Sequence, residues 1–262
     1  MNPLNSKLSN HFNQKKVVKV IAGLKNTNIA QIVKIAQAAE LADASYIDVC
    51  ANTKIVKVLK SVSCLPICIS SIEPVDIYNC VAAGADMIEV GNYDSFYDRG
   101  IYISSNHIIK LVKEIKNLVN DTLICVTIPY YLNLDDQVSL AQSLESLGVD
   151  ILQTEGLYSS SSCRNLSNNC NNFSQLSCSN TLSTSFLSTQ IITKSVKLPV
   201  ITASGVTDIF TSCSNLFGAS GVGIGSSVCN RRSLIEMTKY ISQVKNMLFN
   251  SKKCAPIYLV NS

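Results

Sequence analysis

The sequence predicts an α/β fold, a single (β/α)8 TIM barrel, on three observations. Short apolar runs alternate with helix-period stretches along the whole chain, and the runs number eight, the count that closes a parallel sheet. The length of 262 residues matches one such barrel, which typically takes ~250 residues. Two small-residue turns, Ser204-Gly205 and Gly225-Ser226, fall in the last two strand-to-helix positions. There a barrel of this class builds its phosphate site from outward-pointing backbone amides.

The elements follow in order. Strands are predicted at Val17–Leu24, Tyr46–Ala51, Ile67–Ser71, Met87–Gly91, Leu123–Pro129, Ile151–Glu155, Val200–Ser204 and Gly221–Gly225. Each is a run of four to eight residues bounded by turn formers. Between and after them, apolar residues at helical spacing mark Ile29–Ala42, Ile55–Val62, Val75–Ala83, Asn106–Val119, Leu134–Leu147, Leu182–Val196, Ile209–Phe217 and Leu234–Leu248. Asp135 and Thr207 are candidate N-caps, and Pro74 suits a first helical turn, where its missing N–H costs nothing. Asn26, Asn52 and Asn92, after strands one, two and four, suit caps or turns.

An internal repeat supports the count. Asp43-Ala44-Ser45, Gly84-Ala85-Asp86, Gly148-Val149-Asp150 and Gly218-Ala219-Ser220 each close an odd helix and lead straight into an even strand. A second repeat, Leu65-Pro66 and Leu198-Pro199, opens strands three and seven, where proline is tolerated.

The first repeat also sets the even strands in register. Ile47 and Val49, Ile88 and Val90, Leu152 and Thr154, and Val222 and Ile224 should face the helices. Alternation then sends Asp48, Glu89, Gln153 and Gly223 into the barrel as one layer, with Cys50, Gly91, Glu155 and Gly225 nearer the open mouth. Two carboxylates in an apolar interior need a counter-charge. Lys19 on strand one is the nearest available cation, and Thr127 on strand five adds a hydroxyl. Lys19, Asp48 and Glu89 are therefore the candidate catalytic residues, with Lys19 as general base or imine-forming nucleophile and the acids as proton carriers. Thr127, Gln153 and Glu155 are candidate substrate contacts. Ser204, Gly205, Gly225 and Ser226 are candidate phosphate contacts. A self-satisfied structural ion network is the competing reading of the same residues.

Composition narrows the function classes. Hydrophobic residues make up 47% and charged residues 15%, enough to form a core and too apolar for disorder. No run approaches the ~20 apolar residues of a membrane helix. A net charge of +4 without a basic stripe argues against nucleic-acid binding. Eleven Cys without ligand spacing, beside only two His, argue against a metal centre and for buried thiols in a reducing compartment. Eighteen Lys stand against four Arg, the bias of an AT-rich genome.

The barrel domain is expected over 17–250. A polar, Asn-rich arm at 1–16 is expected to be poorly ordered and has no apolar core of a signal peptide. The Ser/Asn/Cys-rich stretch 157–180 reads as a low-complexity, disordered insert after strand six, and 251–262 as a tail.

Several motifs together resemble a known family. They are Lys19-Val-Ile-Ala-Gly-Leu24, Tyr46-Ile-Asp-Val-Cys-Ala-Asn52, Leu65-Pro-Ile-Cys-Ile-Ser-Ser71, Gly84 to Asn92, Cys125-Val-Thr-Ile-Pro129, Gln153-Thr-Glu-Gly156 and Gly218 to Ser226. Spanning about residues 15 to 250, they are similar to the conserved hypothetical chloroplast reading frame number twenty-three of red-algal and related plastids and of cyanobacteria. That family carries a His after Thr-Ile-Pro, where this chain has Tyr130-Tyr131. The resemblance implies a phosphate-binding TIM barrel of unassigned function, in the plastid, specifically the chloroplast stroma. The expected ligand is a phosphorylated small molecule, handled by an isomerase, lyase or synthase. The alternatives are a non-catalytic phosphometabolite sensor or assembly factor, or a barrel that holds FMN by its phosphate tail.

Overall fold

The computed structural model describes residues 3–23, 25–91, 93–97, 99–119, 121–156, 177–203, 211 and 214–250. Strands β1 (Val17–Ile21), β2 (Tyr46–Cys50), β3 (Ile67–Ser70), β4 (Met87–Val90), β5 (Leu123–Ile128), β6 (Ile151–Thr154), β7 (Val200–Thr202) and β8 (Gly221–Ile224) close in sequence order. All neighbours are parallel, including β8 against β1. The predicted strands are all present, each one to three residues shorter at its C-terminal end.

The helices are α1 (Pro3–Asn13), α2 (Ile29–Leu41), α3 (Thr53–Val62), α4 (Pro74–Ala82), α5 (Asp94–Tyr97), α6 (Ser105–Leu118), α7 (Leu134–Ser146), α8 (Ser177–Ser195), α9 (Ser226–Cys229) and α10 (Leu234–Asn250). Among the described residues no helix is long and apolar enough to cross a membrane. Pro74 opens α4 as expected, and Asn52 caps α3 through the amides of Lys54 and Ile55. The cap of α7 is Asn133, not Asp135, which sits in the first turn instead. An acid there still meets the positive end of the helix dipole. Thr207 and Asn92 lie outside the described residues, as do positions 209, 210, 212 and 213 of the predicted helix Ile209–Phe217, which ends in a 3-10 turn at Asn215–Phe217.

The repeat has a physical cause. Asp43, Gly84, Gly148 and Gly218 all take left-handed backbone angles, with φ of 53°, 107°, 73° and 89°. Each closes its helical segment with the paired reverse bonds of a Schellman turn, such as Gly148 N to Glu145 O and Val149 N to Leu144 O. In three copies the third residue then uses its side chain to hold an amide in the first two residues of the preceding strand. Ser45 Oγ accepts from Val18 N at 3.0 Å, and Asp86 and Asp150 accept from Ile67 N and Ile124 N at 2.8 Å. An alanine at position 148 would carry a Cβ into left-handed space. Gly148→Ala should cost about 1–2 kcal/mol, read as a lower urea midpoint at unchanged m-value.

Two departures from expectation concern segments outside the barrel wall. Residues 3–13, expected as a disordered arm, form α1. Its Leu8 and Phe12, one turn apart, close the underside of the barrel against the interior cluster of Val17, Tyr46, Cys68, Met87, Cys125, Ile151 and Ile201. His11 Nδ1 adds a 2.8 Å bond to Ser45 Oγ. Of the insert 157–180, residues 157–176 lie outside the described residues, and the rest begins α8 five residues before the predicted start. Extending an existing helix costs far less than nucleating one. The residues predicted to face outward, Ile47, Val49, Ile88, Val90, Leu152, Val222 and Ile224, are buried in the shell between strands and helices. Thr154 joins them by bonding Thr189 of α8 at 2.7 Å.

Candidate functional site

Period-two alternation places the inward residues in layers above the α1 plug. The lowest, with Tyr46, Met87 and Ile151, is apolar. The next is polar. Lys19, Asp48, Ser70, Glu89, Thr127 and Gln153, from β1 to β6, all point inward and are at most 4% exposed. The predicted cluster thus forms, and strand one faces the way its lysine required.

Lys19 is the hub. Its Nζ donates to Glu89 Oε2 and, at 2.8 Å, to Gln153 Oε1, and lies 2.9 Å from Asp48 Oδ2. Glu89 Oε1 accepts from Thr127 Oγ1 at 3.0 Å and from Gln153 Nε2 at 2.9 Å. Asp48 Oδ1 accepts from Ser70 Oγ at 2.5 Å. Asp48 Oδ2 is different: it is buried and ion-paired, but no hydrogen bond reaches it. Burial alone would pull the lysine down, but the charges of Asp48 and Glu89 outweigh it and hold Lys19 well above its ordinary value. Burial pushes the Asp48 carboxyl up to about 6, aided by Glu89 and opposed by Lys19. Burial also pushes the thiols of Cys68 and Cys125 beneath this layer upward, which leaves them protonated.

Above this layer a cavity of about 630 Å³ opens at the mouth, within the range of small-molecule sites. Asp48, Glu89 and Gln153 form its floor, and Gly23, Lys25, Glu155, Ala203, Gly225 and Ser226 are among its walls. Lys19 does not line it. Gly223 leaves the floor open, since a Cβ there would sit 3.0 Å from Ala203 Cβ and 3.1 Å from Ile21 Cδ1. Gly91 is small for another reason: a Cβ would overlap the Thr127 side chain at 2.2 Å.

Of the candidate phosphate contacts, Gly225 and Ser226 sit on the cavity wall where α9 begins, with Gly225 as its N-cap residue. Ser204 and Gly205 lie outside the described residues; their neighbour Ala203 is on the same wall.

Glu155 is held from the far side. Its Oε1 accepts from Tyr130 N at 3.1 Å and from the Tyr97 hydroxyl. Burial, then the Glu155 charge, pushes Tyr97 upward, so it remains a donor. The rings of Tyr97, Tyr130 and Tyr131 pack edge to face, 5.1 Å from Tyr97 to Tyr130 and 5.8 Å from Tyr97 to Tyr131. Tyr130-Tyr131 thus buttress the mouth.

Sequence reasoning missed Ser70, Tyr97 and Lys25. The alternation along Cys68-Ile69-Ser70 could have found Ser70. Nothing marks Tyr97, whose helix α5 is four residues long.

Solved structures confirm the fold. The alpha subunit of tryptophan synthase from Legionella pneumophila superposes with a TM-score of 0.64 at 11% identity, covering 95% of this chain and 99% of that one. The (S)-3-O-geranylgeranylglyceryl phosphate synthase of Thermoplasma acidophilum, in complex with sn-glycerol-1-phosphate, gives 0.61 at 13% identity, covering 95% and 98%. Relatives by sequence lie much nearer. The uncharacterized protein ycf23 of Antithamnion sp. is 44% identical over 259 residues, spanning 97% of this chain and 91% of that protein. Its counterpart from Cyanophora paradoxa is 41% identical over 246 residues, spanning 94% and 98%. A family model described as "Protein of unknown function (DUF561)" matches residues 4–254, and the chain belongs to that family.

Proposed function

We propose that this protein is an enzyme acting on a phosphorylated small molecule by proton transfer, as an isomerase, lyase or synthase, in the plastid stroma. One observation carries the reading: a buried lysine and two carboxylates form the floor and sub-floor of a cavity whose wall carries Gly225 and Ser226. The phosphate is held at that wall by backbone amides of Gly225 and Ser226, with Ser204 and Gly205 contributing from the β7 side. The bound (S)-3-O-geranylgeranylglyceryl phosphate synthase, a barrel of the same fold, supports a phosphorylated ligand by analogy of fold alone.

The roles divide by protonation. Lys19 is enclosed and its amine is held charged by the two acids beside it, so it acts as a fixed cation rather than as a base or imine former. Asp48 lies on the cavity floor with its carboxyl pushed by burial up to about 6, which suits a proton carrier. Its carboxylate takes the proton that moves. Gln153, Thr127 and Glu155 orient the ligand. The tyrosines behind Glu155 keep that carboxylate in place.

The test is a thermal-shift panel of phosphorylated metabolites, with inorganic phosphate as the minimal probe. A ligand at a hundred times its Kd raises stability by about 2.7 kcal/mol. Ser226→Glu, which sets a carboxylate at the proposed phosphate position on an exposed helix start, should erase the shift while preserving the fold. A panel without any stabilising compound would refute the reading. If the ligand is FMN instead, the purified protein is yellow. A stabilising ligand that exchanges no C–H proton with deuterated solvent would favour a sensor.

A further inference from the structure

We propose a second oxyanion site on the outer rim, between the starts of α2 and α10, that takes the phosphate group of a ligand separate from the one in the barrel cavity. A cleft of about 350 Å³ lies there, lined by Lys34, Arg231, Arg232, Asn28, Gln31 and Met237 among others, and none of its lining residues is acidic. Three cations thus face one concave surface.

Arg231 is the decisive residue. Its Nε is buried and has no hydrogen-bond partner. A buried charged donor left unpaired is costly, which is why such groups normally meet an acceptor. Its guanidinium lies 4.2 Å from the centre of the Tyr240 ring, a contact that holds the fork in place and resists its swinging into solvent. Glu236 feels the Arg231 charge, but its Oε2 accepts from Arg232 N at 3.1 Å and Ser233 N at 3.3 Å, capping α10. An oxyanion in the cleft would satisfy the Arg231 fork, with Arg232 and Lys34 closing over it.

Composition makes the pair more telling. The chain has four arginines against eighteen lysines, and two of the four are adjacent here. A lysine supplies charge equally well, whereas a planar fork matches a phosphate through two parallel bonds. The cleft also adjoins the mouth. Asn230, next to Arg231, lines the main cavity, and the β1–α2 connection supplies Gly23 and Lys25 to the cavity and Asn28 to the cleft. An anion seated in the cleft would therefore brace the two connections that frame the mouth.

The experiment titrates the full-length protein with inorganic phosphate by calorimetry, beside the variants R231Q/R232Q, K34Q and S226E. The expected result is a binding event that survives S226E and weakens about tenfold to a hundredfold in R231Q/R232Q. K34Q, an exposed change that spares the Tyr240 contact, should weaken it in the same direction and covers the case of a misfolded double variant. Phosphate binding unchanged in both R231Q/R232Q and K34Q overturns the inference. A single event abolished by S226E overturns it too, while leaving the cavity reading intact. No phosphate binding to any of the proteins overturns both.

Discussion

Lys19→Met is expected to destabilise the protein by about 3–5 kcal/mol, the cost of leaving a buried ion partner uncompensated. The wild-type amine bridges Glu89, Asp48 and Gln153 in a buried layer beneath the cavity. Methionine fills much the same volume but offers no charge, so two carboxylates remain in an apolar shell. The loss should depend on pH, and its sign is fixed by linkage. Without the lysine, the burial and the Glu89 charge that already raise the Asp48 carboxyl act unopposed and drive it toward its neutral form. Folded carboxyls whose pKa is raised above the unfolded value contribute stability at low pH that disappears as pH rises. Chemical denaturation should therefore show a deficit that is large at pH 8 and smaller near pH 4. A deficit independent of pH, or below about 1 kcal/mol, the size of an exposed ion pair, would mean that the network does not hold the barrel together.

The wild-type protein carries two linked dependences of its own. Lys19 is raised above its ordinary value, so its contribution is fully present below about pH 10.4 and is lost as pH climbs through the higher folded value. Asp48 is raised from 3.8 to about 6. Its folded form binds more protons than the unfolded chain in that window, so its contribution weakens as pH rises from about 4 to 6 and then levels.

Asp48→Asn is expected to lower turnover by about 10²–10⁴, the span of a single positioned acid or base. The amide keeps the shape and a bond to Ser70 but cannot carry a proton. Because Asp48 lies on the cavity floor, the loss should fall on kcat more than on KM. The wild-type rate should rise with pH through about 6 if Asp48 works as a base, and that limb should vanish in the variant. The fold should tolerate the change, since removing one of two acids around a single lysine leaves Glu89 as its counter-ion. Equal turnover of variant and wild type would remove Asp48 from the chemistry and point to a structural network or a sensor.

Much of this protein was legible in one dimension because the signals are local. Strand and helix periods, the left-handed closure at Gly84 and Gly148, and the proline at the strand entrances each depend on a few consecutive residues. A closed parallel barrel follows once eight such units are counted. Alternation also determined that Asp48, Glu89 and Gln153 share a layer, because a repeat placed each of them four residues beyond the same turn. Tertiary structure decided what local signals do not encode. Leu8 and Phe12 make a helix worth forming only when the underside of a barrel is there to bury them. Asn133 rather than Asp135 became a cap through the angle at which the chain enters α7. Tyr97 reaches Glu155 across 58 positions of sequence without any motif to announce it. The surroundings of Lys19 were decided the same way. A lysine near acids reads as a base or nucleophile in the sequence alone. Only its packing, with ion pairs to Asp48 on β2 and Glu89 on β4 and a bond to Gln153 on β6, shows an enclosed and charged amine, because protonation is set by neighbours in space and not by neighbours in the chain.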